Sequence, residues 1–169
     1  MTQVVLVDKN DKQIGVEEKI AAHKKALLHR AFSGFVFNDK KELLIQQRSS
    51  IKYHNPEIWS NTVCSHPHPG ETTKQGIERR IFEELGFECE LTKIKEFIYK
   101  KAFDNGLTEH EYDHIFVGIY NGNVFPNKDE VMNYKRISLE DLEKDMQKNP
   151  DNYSYWLKKI LKLGFLPDR

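Results

Sequence analysis

The chain has 169 residues, of which 38% are hydrophobic and 31% are charged, a composition typical of a soluble globular protein that forms one domain over residues 1–169. Lys plus Arg and Asp plus Glu both number 26, so the net charge is zero and the strongly basic surface of a nucleic-acid-binding protein is not expected. No apolar run is long enough to span a bilayer and no basic leader is present, so we predict a cytoplasmic protein that binds neither membrane nor nucleic acid.

The first third of the chain predicts a strand, a short helix and a β-hairpin. VVLVD is typical of a strand, and EEKIAAHKKALLHR is a polar segment that begins as a short helix and carries His23 and His29. AFSGFVFN and ELLIQQR are two apolar runs separated by the turn-like NDKK, which predicts a hairpin. The following SIKYHNPEIWSNTVCSHPHPG contains three prolines and predicts a long irregular connection, a kind of segment that often carries function.

Residues 72–86 predict a helix with clear signals at both ends. Thr72 and Gln75 have the spacing of a capping box, and Gly86 is typical of the residue that follows a helix. The predicted apolar stripe of this helix consists of Ile77, Ile81 and Leu85.

The second half predicts a long hairpin, a further strand and two helices. KIKEFIYKKAF and LTEHEYDHIFVGIY are two strands joined by the turn signal DNG, which places Tyr99 roughly opposite Glu111. EVMNYKRISL predicts a strand, LEDLEKDMQK a helix and SYWLKKILKLGF a closing amphipathic helix with Trp156, Ile160 and Leu163 on or near one face. The mixture of strands and helices predicts an α+β fold.

The helix of residues 72–86 carries the most specific chemical pattern. In ETTKQGIERRIFEELGF, the spacing of the Nudix box falls on Glu71, Arg79, Glu83, Glu84 and Gly86. A carboxylate in the last helical turn is disfavoured by the helix dipole, and a bound Mg²⁺ would remove this penalty while it contacts phosphate oxygens. Solvated glutamates, or a surface pair of Arg79 with Glu83, are the simpler alternative, but they do not account for Glu71.

Two positions depart from the Nudix box. Ser65 stands where the opening glycine is expected, and Arg80 replaces a glutamate. The second change removes a metal ligand and adds a guanidinium that can bind phosphate bidentately. With this change, the site is better suited to holding a diphosphate than to cleaving it.

The resemblance to the Nudix superfamily also implies the fold. It implies an α/β/α sandwich, in which helices flank a mixed β-sheet and segments are added at both termini.

A second group of residues points to another metal site. Glu109 and Glu111 in TEHEYDH project from one face of a strand, where their charges repel unless water or a cation intervenes. His23, His29 and His66 offer nitrogen ligands, although an isolated His is more often solvated or buried in the core. A set of three imidazoles and two carboxylates exceeds a four-coordinate structural zinc site and favours a catalytic, roughly octahedral Mn²⁺, Zn²⁺ or Mg²⁺ site.

These segments together resemble the type 1 isopentenyl-diphosphate isomerases, a branch of the Nudix superfamily. The similarity runs from EKIAAH through RAFSGFVFN, WSNTVCSHPHPGE and ERRIFEELG to TEHEYDH and SYW. It implies an isomerase of isoprenoid biosynthesis that interconverts isopentenyl diphosphate and dimethylallyl diphosphate through a tertiary carbocation, by metal-assisted protonation and deprotonation. We expect its partner to be a small isoprenyl diphosphate, and the protein to be a monomer or weak dimer.

The resemblance also implies a role for each site residue. Glu111 is the acid and Cys64 the base, Tyr99 relays or positions the proton, and Trp156 faces the cation. Cationic neighbours are expected to lower the pKa of the Cys64 thiol from about 8.5. The implied ligands of Mn²⁺ or Zn²⁺ are His23, His29, His66, Glu109 and Glu111. A Mg²⁺ on the diphosphate is assigned to Glu84 and the Cys64 carbonyl, and the diphosphate contacts to Lys19, Arg48, Lys52 and Arg80.

Two other functions stay open at this point. A Nudix hydrolase of a nucleoside or other diphosphate is supported by the box glutamates, but Arg80 weakens it and Cys64 would have no purpose in it. A catalytically silent metal-binding or regulatory domain would keep the fold and bind ligands without turnover. Trp156 also fits the core of an amphipathic helix, and Cys89, which lies outside every motif, is assigned to the core.

Overall fold

The computed structural model contains the predicted strands and helices in the predicted order, and the structure describes residues 1–167. Three further strands, at Gln13–Glu18, Trp59–Ser60 and Val63–Ser65, were not predicted. The strands are β1 (Gln3–Val7), β2 (Gln13–Glu18), β3 (His29–Phe37), β4 (Glu42–Arg48), β5 (Trp59–Ser60), β6 (Val63–Ser65), β7 (Leu91–Ala102), β8 (Thr108–Ile119) and β9 (Val131–Ser138). The helices are α1 (Lys19–Lys24), α2 (Thr73–Leu85), α3 (Leu139–Lys148) and α4 (Tyr155–Leu163), with a 3₁₀ turn at Pro150–Asn152. None of the helices in this part of the chain combines the length and the apolar composition that a bilayer span requires.

Alternate residues of the central strands face two separate hydrophobic cores. Phe32 of β3 packs in one core with the buried face of α2. Phe35 of the same strand packs in the other core with Leu157 and Ile160 of α4. Because side chains alternate across a strand, the sheet must lie between the two cores. Its pairing is mixed, with β3 parallel to β8 and antiparallel to β6. The predicted α/β/α sandwich is therefore confirmed.

Helix α2 has the predicted ends. The Thr72 side chain accepts from the backbone N–H of Gln75, whose own side chain accepts from the Thr72 N–H, so the capping box is complete. Gly86 has a φ of 71°, a left-handed conformation that costs glycine little. The predicted stripe is fully buried and comprises Ile77, Ile81 and Leu85.

Strand β3 connects the two halves of the site. It pairs with β8 so that His29 lies opposite Glu111, and with β6 so that Ser33 lies opposite Cys64. Directly opposed residues project from the same face of a sheet. Cys64 of β6 and Glu111 of β8 therefore project from the same face of the sheet, on opposite sides of β3.

The connection after β4 is more regular than predicted, since it contains β5 and β6. The predicted hairpin of β3 and β4 exists only at its turn, where Phe37 pairs with Leu43. Beyond that pair, the Thr62 hydroxyl accepts from the Val36 N–H at 2.9 Å and donates to the Leu44 carbonyl at 2.6 Å. The inserted Thr62 side chain replaces the ladder bonds, so the two strands separate and pair with β6 and β5 instead.

The hairpin of β7 and β8 has the predicted register, because Tyr99 lies directly opposite Glu111. Helix α4 buries Trp156 and Ile160 as expected, but Leu163 is 42% exposed at its end. The buried face of α4 instead consists of Trp156, Leu157, Ile160 and Leu161.

Candidate active site

One pocket brings together nearly all of the predicted site residues. Cys64 and Glu111 both line it. The other predicted residues in its wall are Lys19, His23, Arg48, Lys52, His66, Arg80, Glu84, Tyr99, Glu109 and Trp156. His29 lies fully buried behind the wall, with its Nε2 atom 3.2 Å from His66 Nε2. The structure thus gathers these side chains in one place, and their chemical roles stay predictions.

Two imidazoles lie close to one oxygen of Glu111, and a third lies nearby. His66 Nε2 lies 2.9 Å from Glu111 Oε1, and His29 Nε2 lies 3.6 Å from the same oxygen. One ligand atom from each of His23, His29, His66 and Glu111 lies within 4.8 Å of the others. All four side chains are at most about one-tenth exposed, an unusual concentration of buried polar groups.

Backbone carbonyls fix the orientation of two of these rings. His23 Nδ1 lies 2.7 Å from the Lys19 carbonyl, and His29 Nδ1 lies 2.8 Å from the Leu27 carbonyl. Only a protonated nitrogen can bond to a carbonyl, so Nδ1 donates in both rings and Nε2 is the nitrogen left for a metal ion. Burial lowers the pKa of His66 to about 3, so the His66 ring is neutral at pH 7. Neutral imidazoles beside a carboxylate are the donors that a divalent metal ion requires.

Glu109 lies beside this four-residue group. Tyr99 Oη donates to Glu111 Oε2 at 2.6 Å and lies 3.1 Å from Glu109 Oε2. Burial, with the adjacent charge of Glu111, raises the pKa of Glu109 to about 8. Burial also acts to raise the pKa of Glu111, but the adjacent His29 and His66 rings hold this pKa well below its usual range. One glutamate is therefore protonated at neutral pH and the other is ionised.

Cys64 is a neutral thiol in this environment. Burial raises its pKa to about 12, and the positive charge of Arg48 opposes this shift only in part. The expectation that cationic neighbours lower the pKa of Cys64 is therefore wrong, because desolvation of a thiolate costs more than one nearby guanidinium restores. Ser60 Oγ lies 3.9 Å from Cys64 Sγ and accepts from Trp156 Nε1 at 2.8 Å, so this serine links the two predicted catalytic residues.

The charged residues of the Nudix box pair with one another. Arg79 donates to the two carboxylate oxygens of Glu71 at 2.7 and 3.0 Å. Arg80 donates to Glu84 at 2.6 Å and to Glu83 at 2.7 Å. The Arg80 guanidinium offsets the unfavourable position of Glu83 and Glu84 in the last turn of α2. Glu84 is buried at the pocket, whereas the Glu83 side chain is 42% exposed.

Glu130 is a site residue that the sequence did not indicate. Lys52 forms an ion pair with Glu130, and Arg80 lies 3.2 Å from the same carboxylate oxygen. Two of the predicted diphosphate contacts therefore share one internal carboxylate. Lys52 and Glu130 are 78 positions apart, so no local pattern relates them.

Asp113 extends the buried carboxylate row of β8. It lies on the same strand face as Glu109 and Glu111, and it accepts from Ser33 Oγ at 2.8 Å. Burial, with the charge of Glu111 nearby, raises the pKa of Asp113 well above its usual range. The alternation in TEHEYDH contained the signal for this third carboxyl group.

We expect Glu71→Gln to lower the free energy of unfolding by about 1–2 kcal/mol, because Glu71 accepts charged hydrogen bonds from Arg79 and one from the His68 N–H. Hydrogen bonds from Arg79 lower the pKa of Glu71 below its ordinary value of 4.5. The contribution of Glu71 to the free energy of unfolding is therefore fully present above pH 4.5, and it is lost as the pH falls through the lower pKa of the folded state. Urea unfolding at several pH values measures both effects.

Glu78→Gln on the same helix is the control for this prediction. The Glu78 side chain is 44% exposed and its nearest cation, Lys74, is 4.0 Å away, so we expect a change within about 0.5 kcal/mol. Equal losses in Glu71→Gln and Glu78→Gln would contradict the structural role of Glu71.

Comparison with known proteins defines the class of the fold. The family model for the NUDIX domain matches residues 27–157. A protein from Deinococcus radiodurans has a similar solved structure, with a TM-score of 0.71 at 18% identity, covering 86% of this chain and 89% of that one. A MutT NUDIX hydrolase from Burkholderia pseudomallei gives 0.64 at 18% identity, covering 80% and 96%. The sandwich and the helix-borne box are therefore those of a NUDIX domain.

Curated relatives narrow this class further. Over 155 residues, 92% of this chain and 82% of the relative, the chain is 45% identical to the isopentenyl-diphosphate Delta-isomerase 2 of Aromatoleum aromaticum. It is 44% identical to the isopentenyl-diphosphate Delta-isomerase of Pectobacterium atrosepticum, covering 99% and 93% of the two chains. The chain therefore belongs to the isopentenyl-diphosphate Delta-isomerase family, and the resemblance inferred from its sequence is confirmed.

Proposed function

We propose that the protein interconverts isopentenyl diphosphate and dimethylallyl diphosphate for isoprenoid biosynthesis. The observation that carries this proposal is the shared pocket of Cys64 and Glu111, two proton-exchanging groups presented on one sheet face from opposite sides of β3. Moving the double bond requires a proton to be added at one carbon and another to be removed from a different carbon. The substrate therefore keeps its composition and its net charge.

Cys64 and Glu111 form the acid and base pair. An alkene is a very poor base, so its protonation to a tertiary carbocation needs a positioned acid, a base across the substrate and exclusion of water. One group gives its proton and the other takes one, and the reverse reaction exchanges their roles. The predicted roles are Glu111 as the acid and Cys64 as the base. Before substrate and metal bind, however, the pKa directions favour a protonated Cys64 and an ionised Glu111.

Tyr99 and Trp156 support this proton exchange. Burial raises the pKa of Tyr99 well above its usual range, so its hydroxyl stays protonated and holds Glu111 Oε2. Trp156 is buried in the pocket wall, where Ser60 and Asn61 accept from its indole N–H at 2.8 and 3.1 Å. A cation against a desolvated indole face is stabilised by roughly 2 kcal/mol. Trp156 therefore serves both the α4 core and the carbocation.

Four cations from separate elements bind the diphosphate: Lys19, Arg48, Lys52 and Arg80. Burial, together with the charges of Arg48 and Arg80, lowers the pKa of Lys19. Such crowding of like charges is relieved when an anion binds, so the group is prepared for a diphosphate.

Two metal positions complete the proposal. Glu84 and the Cys64 carbonyl would hold a Mg²⁺ that contacts the diphosphate. Mn²⁺ or Zn²⁺ would be held by His23, His29, His66, Glu109 and Glu111. When bound, these ions would neutralise phosphate charge and make the Glu111 carboxyl more acidic. The choice between Mn²⁺ and Zn²⁺, the cytoplasmic location and the monomeric or weakly dimeric state stay predictions from the sequence.

Incubation with isopentenyl diphosphate and Mg²⁺ in D₂O, followed by NMR, tests the proposed activity. We expect deuterium to enter the isoprenyl chain while the diphosphate stays intact. Release of phosphate would support a NUDIX hydrolase instead. Binding of the substrate without deuterium uptake or phosphate release would support a catalytically silent domain.

A further inference from the structure

A buried histidine outside the predicted ligand set contacts the metal side of the pocket. His54 is 7% exposed, and its Nε2 atom lies 3.0 Å from Glu109 Oε1. On the other side of the ring, Nδ1 lies 3.0 Å from Asn105 Nδ2. The ring also meets Phe103 edge-on, with 4.7 Å between centroids. Asn105 and Phe103 belong to the turn between β7 and β8, so this turn holds the ring of a residue from a different loop.

Both ring nitrogens of His54 have polar neighbours. Nε2 lies 3.0 Å from Glu109 Oε1 and 2.9 Å from Asn55 Nδ2, and Nδ1 lies 3.0 Å from Asn105 Nδ2. With its proton on Nε2, the ring would donate to Glu109 Oε1 and accept from Asn105 at Nδ1. The second oxygen of Glu109, Oε2, lies 3.1 Å from Tyr99 Oη, the hydroxyl that also contacts Glu111.

The backbone of the same loop holds a proposed diphosphate contact. Arg48 donates from Nε to the Asn55 carbonyl and from its terminal nitrogen to the His54 carbonyl, both at 3.0 Å. Asn55 has a φ of 49°, which turns the chain between these two carbonyls. Residues 54–55 therefore join Arg48 to Glu109 through a short chain of hydrogen bonds.

We propose that His54 is a positioning residue, which orients Glu109 toward the metal centre and fastens the loop of residues 49–58 beside it. The inference rests on the proposed metal role of Glu109. Hydrogen bonds to a metal ligand fix its orientation, and their loss typically lowers metal affinity or activity by roughly 10- to 100-fold. Because His54 also anchors the loop that carries the Arg48 contacts, it couples the metal side of the pocket to the diphosphate side.

Calorimetric titration of the full chain with Mn²⁺ alone tests this inference. We expect His54→Leu to weaken Mn²⁺ binding by roughly 10- to 100-fold. His54→Gln keeps an N–H donor at a similar reach and should retain affinity to within a few-fold. His68→Leu, a change at an exposed histidine in the segment between β6 and α2, is the matched control and should bind Mn²⁺ like the unmodified protein.

A double-mutant cycle separates positioning from a merely structural effect. In a Glu109→Gln background, His54→Leu should cause no further loss, because the oriented carboxylate is already gone. Equal losses in His54→Leu and His54→Gln, or a full effect of His54→Leu in that background, would overturn the inference. Asn105→Ala frees the ring without changing His54, and it should weaken Mn²⁺ binding in the same direction if His54→Leu does not fold.

The same titration distinguishes failure of the inference from failure of the proposed metal site. If His66→Ala binds Mn²⁺ as well as the unmodified protein, the metal site itself is wrong. If His66→Ala loses binding while His54→Leu keeps it, the metal site stands and only the role of His54 is refuted.

Discussion

Replacing Cys64 by Ser is expected to slow isomerisation by roughly 10²- to 10⁴-fold, the usual contribution of a positioned acid or base. Serine keeps a small polar side chain at this position, but its hydroxyl is a much weaker acid than a thiol, so proton exchange is lost while the shape of the pocket is preserved. Deuterium uptake from D₂O into the isoprenyl chain gives the rate. Mn²⁺ titration and thermal unfolding should show that metal binding and stability are unchanged.

Cys89→Ser is the matched control for this change, because Cys89 is the only other cysteine in the sequence and does not line the pocket with Cys64. Cys89 packs against the core beneath α2, which agrees with its predicted role there. We expect this variant to keep the full rate of isomerisation. A Cys64→Ser protein that turns over normally would refute the assignment of Cys64 as one half of the acid and base pair.

Features set by local spacing were predictable from the sequence. The capping box at Thr72 and the glycine at Gly86 fix α2 through contacts within a few residues. The DNG turn likewise fixes the register of β7 and β8, and it is this register that places Tyr99 opposite Glu111. Short-range signals of this kind were sufficient to place Tyr99 beside Glu111.

Features set by distant parts of the chain were not predictable. The His54 contact with Glu109 joins residues 55 positions apart, and no periodicity relates them. The Thr62 side chain that separates β3 from β4 is inserted by the tertiary fold. The predicted lowering of the Cys64 pKa was wrong for a similar reason. The sequence suggests which cations are near the thiol, but it does not show how far the fold removes the thiol from water.

Glu111→Gln is expected to lose both Mn²⁺ affinity and isomerisation, a wider defect than that of Cys64→Ser. One oxygen of Glu111 faces the His66 and His29 rings, at 2.9 and 3.6 Å, and the other accepts from Tyr99 at 2.6 Å. An amide removes the negative charge that would attract the metal and cannot exchange a proton as a carboxylate does. We expect a loss in rate of at least about 10²-fold, with a parallel loss of Mn²⁺ binding by calorimetry.

Two further variants show whether this defect belongs to Glu111 itself. Glu96→Gln, on the neighbouring strand and outside the pocket lining, should leave Mn²⁺ affinity and rate unchanged. Glu109→Gln should weaken Mn²⁺ binding less than Glu111→Gln, because burial and the charge of Glu111 raise the pKa of Glu109 to about 8 and a metal must first displace its proton. Normal Mn²⁺ affinity in Glu111→Gln would show that the imidazoles do not share their metal with this carboxylate, and the proposed acid would then lack the ion that strengthens it.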